Sequence, residues 1–377
     1  MNHAQRCLFN SELRHLSQKL VVSEKELEKR KSIFNELREL ISTHFTSVHV
    51  KLFGSSKHGL ETFRSDLDIL VSNKRTESKY LYVPAEDEGE EEDDEVVTFS
   101  LNVIVPPQNA DSPATRADPS GAPMITLSKS SVPNLPNRRN SAWNFKQRHC
   151  TIGFLRALQT LIQSKREDFH IRRIFRAKVP ILMLQHKESN RSIDVSVDTE
   201  GDSEGLDSTN LIYAFQRVYG STFKNLVLFL KEYMHQHGLD KPYTGGIGSF
   251  RLYVMVAYIL CDSARSVGLK RERCAAQTDF ELMMRFLAVF GNVDGVYLTV
   301  ETCLQMYNFD SEIKCVDFYS IFRLQDCVES FKQSYHQLRN GARLSTILAD
   351  NSKGEHKQLH SKYIKSKNRR KRRRRLD

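Results

Sequence analysis

The sequence predicts an α+β protein, a mixed sheet flanked by helices and followed by a separate helix-rich domain. Two patterns predict it. Short runs of alternating character, VHVKLF, DLDILV, VPILMLQ and RSIDVSV, fall within residues 48–198, and alternation places successive side chains on opposite faces of a strand. From Leu211 onward, apolar residues recur at helical spacing in LIYAFQRVYG, FKNLVLFLKEYMHQHG, SFRLYVMVAYILCD and DFELMMRFLAVFG, each closed by glycine or a polar break.

In chain order, residues 1–44 read as helices, with Leu13, Leu16, Leu20, Leu27, Ile33, Leu37, Leu40 and Ile41 at helical spacing, and are expected to pack on the helical domain. Residues 45–73 and 147–200 form the sheet domain. The intervening 74–146 carry an acid run and then Pro, Asn, Ser and Arg, with too few clustered apolar residues to offset the entropy of ordering, so a disordered insertion is expected. Residues 201–350 form the helical domain, and 351–377 a basic tail too like-charged to fold.

With 377 residues, 40% hydrophobic and 27% charged, the chain has material for two compact domains. Its longest apolar stretch, Leu252 to Cys261, is about half of the ~20 residues a bilayer needs, which excludes a membrane-spanning reading. Seven cysteines scatter without a CxxC pair, so neither a disulfide framework nor a cysteine zinc site is expected. The net charge is +10 although Glu86–Glu95 holds nine acids, and ten bases crowd Lys362–Arg375. A basic body with a basic tail suits a partner rich in phosphate, because neutralised phosphates release counterions.

The chemistry concentrates in Val48–Val71, VHVKLFGSSKHGLETFRSDLDILV. On the DLDILV strand Asp66 and Asp68 share one face while Leu67, Ile69 and Val71 share the other. Two carboxylates ~7 Å apart along a strand suit a divalent cation, since Mg²⁺ prefers one or two carboxylates plus substrate phosphates. Gly54 and Ser55 can offer backbone amides and a hydroxyl to a triphosphate. A third acid comes from RSIDVSVD, either Asp194, flanked by Ile193 and Val195 on the opposite face, or Asp198 two pleats beyond it. TGGIGS is no dinucleotide fingerprint, because helix rather than strand precedes it; it reads as a glycine-rich approach to a helix N-terminus.

These motifs resemble the DNA polymerase β-like nucleotidyltransferases, whose signature is a Gly-Ser turn, a DxD strand about ten residues later and a third Asp downstream. FGSSKHGLETFRSDLDILV, VPILML with SIDVSVD, and LVLFLKEYMHQHGLDKPYTGGIGSFRLYVMVAYIL are similar to the atypical poly(A) polymerases and terminal uridylyltransferases, above all the nuclear TRAMP-complex type. The resemblance covers roughly residues 10–72 and 150–335. It implies a polymerase β-like palm with a helical central domain, and two ions, Mg²⁺ or Mn²⁺, on Asp66, Asp68 and Asp194. It further implies that Gly54, Ser55 and Ser65 contact the triphosphate, that Lys231 and Ser249 meet phosphates, and that Phe250 stacks on the base. Ser208 and Thr209 stand where an Asn-Thr pair touches the ribose. In IFRLQDCVES, Asp326 and Glu329 stand at the base edge, with Cys327 where proline is usual and Lys332 where an Asn or His would be.

The implied activity is template-independent transfer of AMP from ATP to RNA 3′ ends. A uridylyltransferase with the same site and a catalytically silent RNA-binding scaffold are the rival readings. The resemblance also implies a zinc-knuckle RNA-binding subunit and a helicase as partners, and a nuclear location that the basic tail would serve.

Overall fold

The computed structural model describes residues 3–45, 48–73, 124–129, 141–177, 179–198, 203–266, 277–293, 298–308 and 311–348. The acid run and the basic tail lie outside them. The described elements run α1 (His3–Leu20), α2 (Glu24–His44), β1 (Val48–Leu52), α3 (Gly54–His58), β2 (Leu67–Asn73), β3 (Met124–Lys129), α4 (Ser141–Lys165), β4 (Phe169–Ile174), β5 (Ile181–His186) and β6 (Arg191–Asp198). Then come α5 (Ser203–Gln236), α6 (Ser249–Ser266), α7 (Asp279–Phe290), β7 (Thr302–Asn308), β8 (Ser311–Asp317), α8 (Leu324–Arg339) and α9 (Leu344–Leu348). None of the described helices is long and apolar enough to cross a membrane.

Five strands form a mixed sheet in the order β1-β2-β6-β5-β4, with β2 and β6 parallel and the other pairs antiparallel. The alternation read from the sequence decides which face is covered. Leu67, Ile69, Val71, Ile193, Val195, Leu182 and Leu184 are buried together against Ile33, Phe34, Leu37 and Ile41 of α2 and Leu155, Leu158 and Ile162 of α4. Because side chains alternate, Asp68 and Asp194 project from the opposite face. Burying one face therefore presents the carboxylates on the other.

A second core belongs to α5, α6, α7 and α8, where Phe215, Phe223, Phe229, Phe286, Phe290 and Phe331 are fully buried. Gly220 (φ 55°) interrupts the long α5, as the glycine closing LIYAFQRVYG leads one to expect. Thr278 and Glu281 form a reciprocal capping box that starts α7.

Three expectations need correction. The 74–146 segment is not structureless throughout: β3 lies inside it and pairs antiparallel with β7 in a three-stranded sheet, β3-β7-β8. Ile125 of β3 is 1% exposed and belongs to the helical core, with Leu127 packed beside it. Three apolar residues in the six of MITLSK are a faint signal, and the segment orders because β7 and α6 supply the partners. Second, the helix-rich domain carries two strands that the sequence pattern did not mark, β7 and β8 within residues 201–350. Third, the N-terminal helices divide: Phe9 and Leu13 of α1 join the helical core, whereas the apolar stripe of α2 covers the five-stranded sheet.

Candidate active site

β2 begins at the carboxylate pair, and the parallel register sets Asp68 directly beside Asp194. Asp198 sits four residues further along β6, level with Ser72. The register thus brings Asp194, not Asp198, to the DxD motif. Gly54 follows β1 and starts α3 with φ +59°; a Cβ there would lie 2.5 Å from Asp68 Oδ2. Only a residue without a side chain lets the chain pass so close to that carboxylate. Phe53 N–H donates to the Asp68 carbonyl at 2.9 Å, fixing this turn on the strand.

The loop between α3 and β2 is held from two sides. Arg30 of α2, 3% exposed, donates to Glu61 Oε2 (2.6 Å) and to the carbonyls of Thr62 (3.1 Å) and Ser65 (3.0 Å). From α5, the Lys231 ammonium donates to the Leu60 carbonyl (2.9 Å) and to Ser65 Oγ (3.0 Å), and Arg64 Nε donates to Glu232 (3.1 Å). With Glu26 as a further acceptor at 3.3 Å, this buried guanidinium has four acceptors and is satisfied rather than stranded, so the loop preceding the aspartates is a fixed support.

Between sheet and helical domain lies a cleft of about 1000 Å³ lined by Ser55, Ser65, Asp66, Asp68, Asp194, Lys231 and Ser249, among others. A narrower pocket of about 370 Å³ opens beside it, lined by Gly54, Ser55, Asp68, Ser208, Thr209, Ser249 and Phe250. The two share Ser55, Asp68 and Ser249. All the sequence-predicted residues but two are thereby gathered around the carboxylates. The exceptions are Asp326 and Glu329, which line neither cavity. Asp326 accepts from Arg323 Nε (2.7 Å) and Glu329 from Gln333 (3.0 Å) on the exposed face of α8. The reason is periodicity: Leu324, Cys327, Val328 and Phe331 bury the other face of that helix. Ser320 and Phe322, just before α8, line the cleft in their place. Arg251 holds that approach by donating to the Asp317 carbonyl (2.8 Å) and Ser320 Oγ (2.6 Å).

Crowding shifts the charges. Burial, with Asp194 and Asp66 nearby, pushes the Asp68 carboxyl up to about 7, and burial with Asp66 pushes Asp194 to about 6. Burial lowers the Lys231 ammonium to about 8. Burial would lower Lys241 too, but the charge and hydrogen bond of Asp66 outweigh it and raise it above its ordinary value. In the narrow pocket, burial and then Lys57 lower His58 to about 4.

Divalent cations fit this donor set. Asp194 Oδ1 is buried without a hydrogen-bond partner, and crowded carboxylates whose pKa values are pushed up are where an ion relieves most repulsion. Among the described residues, no three His, Cys, Asp or Glu side chains converge closely enough to coordinate an ion; Asp66 is instead engaged by the Lys241 ammonium.

Several cleft residues escaped the sequence reading. Arg172, Arg173 and Arg176 line the wall along and beyond β4 with Phe175 and Tyr243, and their guanidinium groups make no hydrogen bond or ion pair among the described residues. Bases interleaved with aromatics in FHIRRIFR were a readable signal. Lys241, a single lysine in a loop, offered none.

A glycine-serine turn against paired strand aspartates, with a third across a parallel ladder, defines the nucleotidyltransferase class. A family model, the central palm domain of mitochondrial-like poly(A) RNA polymerase, matches residues 9–217, and the chain belongs to that family. Its fold is similar to the polymerase core of TRAMP, an RNA surveillance complex (TM-score 0.54, 15% identity, 92% of this chain and 93% of that one). It is similar also to a chain of the GLD-2/RNP-8 complex (TM-score 0.54, 14% identity, 91% and 98% covered) and to mtPAP in complex with UTP (TM-score 0.52, 14% identity, 90% and 73% covered).

Proposed function

We propose that this chain transfers AMP from ATP to the 3′-hydroxyl of an RNA without a template, releasing pyrophosphate. The observation that carries the reading is the register pairing of Asp68 with Asp194, in one cleft with Asp66 and facing the Gly54–Ser55 turn. Asp66, Asp68 and Asp194 would hold two Mg²⁺ or Mn²⁺ ions, which when bound neutralise phosphate charge and lower the pKa of the attacking hydroxyl.

The chain's own groups do the positioning. Ser55 and the Gly54 backbone receive the triphosphate, and Lys231, drawn from its contacts with Ser65 and Leu60, adds a positive charge in a water-poor site where it counts for more. The nucleoside enters the narrow pocket against Phe250, with Ser208 and Thr209 beside it. The acceptor strand lies along Arg172, Arg173 and Arg176, which have free donors for phosphates, while Phe175, Tyr243 and Phe322 offer faces to unstacked bases. Adenylate specificity is supported by the poly(A) family alone, because Asp326 and Glu329 stand away from the cleft.

We further place the activity in nuclear RNA processing, supported by the basic run Lys362–Arg375. Separate subunits, of the zinc-knuckle and helicase kinds, would supply RNA recognition, as fits the multi-subunit complexes among the structural neighbours. The test is incubation of the purified chain with labelled RNA, each NTP separately, and Mg²⁺ or Mn²⁺. An AMP ladder with ATP is expected. A UMP ladder instead would overturn the adenylyl assignment, and no extension under any condition would overturn the transferase reading.

A further inference from the structure

Lys241 enters the carboxylate site from the opposite side of the cleft. It belongs to the turn between α5 and α6, whereas its partner Asp66 immediately precedes β2 of the sheet domain. The turn is rigid. The Lys241 carbonyl accepts the N–H groups of Thr244 (3.1 Å) and Gly246 (3.0 Å) and the Thr244 hydroxyl (2.9 Å). Pro242 has its own φ fixed by its ring and holds the preceding Lys241 in the extended region, and Gly246 is pressed so closely on Leu239 that a Cβ would lie 2.1 Å from its carbonyl oxygen. The nearer acid, Asp240, is already taken by His235 at 2.9 Å. Lys241 therefore reaches away from its own loop to Asp66.

We propose that Lys241 is the resident counter-ion of the carboxylate site, a clasp between the two domains that a divalent cation must displace from Asp66. The inference rests on the reading of Asp66, Asp68 and Asp194 as metal ligands. Its ground is that the ammonium engages Asp66 Oδ2 while no three carboxylates converge into a coordinating set among the described residues. One oxygen cannot serve an ammonium and a divalent ion together, because the two cations repel. Where Lys241 sits, a metal pays a displacement cost; where the metal sits, the clasp is open. The coupling is reciprocal, so whatever separates the domains at this turn favours metal uptake, and metal uptake loosens the turn. Lys231 does not duplicate the role, since its ammonium is committed to Leu60 and Ser65.

The test compares wild type with Lys241→Met, which keeps the stem length and removes the charge. Mn²⁺ is titrated into the full chain without nucleotide or RNA at about pH 8.5, where the carboxylates are ionised, and free Mn²⁺ is read by electron paramagnetic resonance. Half-saturation is expected to fall about tenfold or more in the variant. Hydrogen exchange on wild type is expected to show residues 241–246 losing protection when Mn²⁺ is added. Lys241→Gln gives a second variant should the first fold poorly. Equal or weaker Mn²⁺ affinity in well-folded variants overturns the clasp and leaves the metal site standing. Failure of both wild type and variant to bind Mn²⁺ overturns the metal-ligand reading itself, and the clasp with it.

Discussion

The molecule contains two β-sheets that differ in how they are assembled and in what they do. The five-stranded sheet takes β1 and β2 from one stretch and β4, β5 and β6 from another, and carries the carboxylates on its open face. The three-stranded sheet joins β3 to β7 and β8, strands more than 170 residues apart, as in the pairing of Ile125 with Met306, and carries no group assigned to the site. One sheet is a platform for chemistry, and the other fastens a segment inserted in the sheet domain onto the helical domain. Damage to the first should cost reaction without fold, and damage to the second should cost fold first.

The largest effect should come from the platform. Asp68→Ala and Asp194→Ala are each expected to lower nucleotide addition by ~10³-fold or more, with metal-free Tm equal or higher because a like-charge contact is relieved. Asp198→Ala should stay active; primer extension and calorimetry read both outcomes. Next is the fastener: Ile125→Asp places a charge in a fully buried position and should destabilise by about 3 kcal/mol or more, read as a fall in Tm with Mn²⁺ affinity kept until unfolding. Removing residues 80–115, which spares β3, should change Tm little. A large fall would show that the inserted segment fastens by more than its strand.

A third difference concerns pH. Asp68 and Asp194 have folded values raised to about 7 and 6 from an ordinary 3.8. Above pH 4 the unfolded chain sheds these protons before the folded one does, so the folded state binds more protons and metal-free stability falls as pH rises from about 4 to 7. The loss ends once pH passes the folded values. Asp68→Asn should flatten this fall, whereas Ile125→Ala should lower the whole curve without changing its shape; thermal melts against pH separate them. Mn²⁺ affinity should rise through the same window, as ionised ligands become available. The smallest effect is expected from Arg172→Ala, a few-fold loss of RNA affinity with the salt slope reduced by about 0.7, measured by filter binding.

The platform was legible because alternation and motif spacing act locally: a strand of period two with leucine, isoleucine and valine on one face presents its aspartates on the other. That Asp194 rather than Asp198 lies beside Asp68 follows from the parallel register, which depends on how two strands slide past each other. The fastener was nearly silent. The β3 residues MITLSK lie in a polar context, and their order comes from β7 and α6. β4 was missed because its bases interrupt the apolar pattern. Asp326 and Glu329 stand off the cleft because the helical period of Leu324, Cys327, Val328 and Phe331 turns them to the exposed face of α8, which the short motif did not reveal. Lys241 had no local signal, since its importance is created by a partner 175 residues away.

The docking of α1 sets an order of events during synthesis. Phe9 stacks on Phe280 with ring centroids 4.7 Å apart, Ser17 donates to the Asn225 carbonyl at 2.9 Å, and Arg6 pairs with Glu281 across 275 residues of chain. At roughly 5–20 residues per second, the apolar face of α1 waits on the order of tens of seconds on the ribosome before α7 is made. During that interval Phe9 and Leu13 are exposed on a nascent chain whose α2 and β1 can already pair. The helix that completes the later-made domain is thus a natural early client for a chaperone.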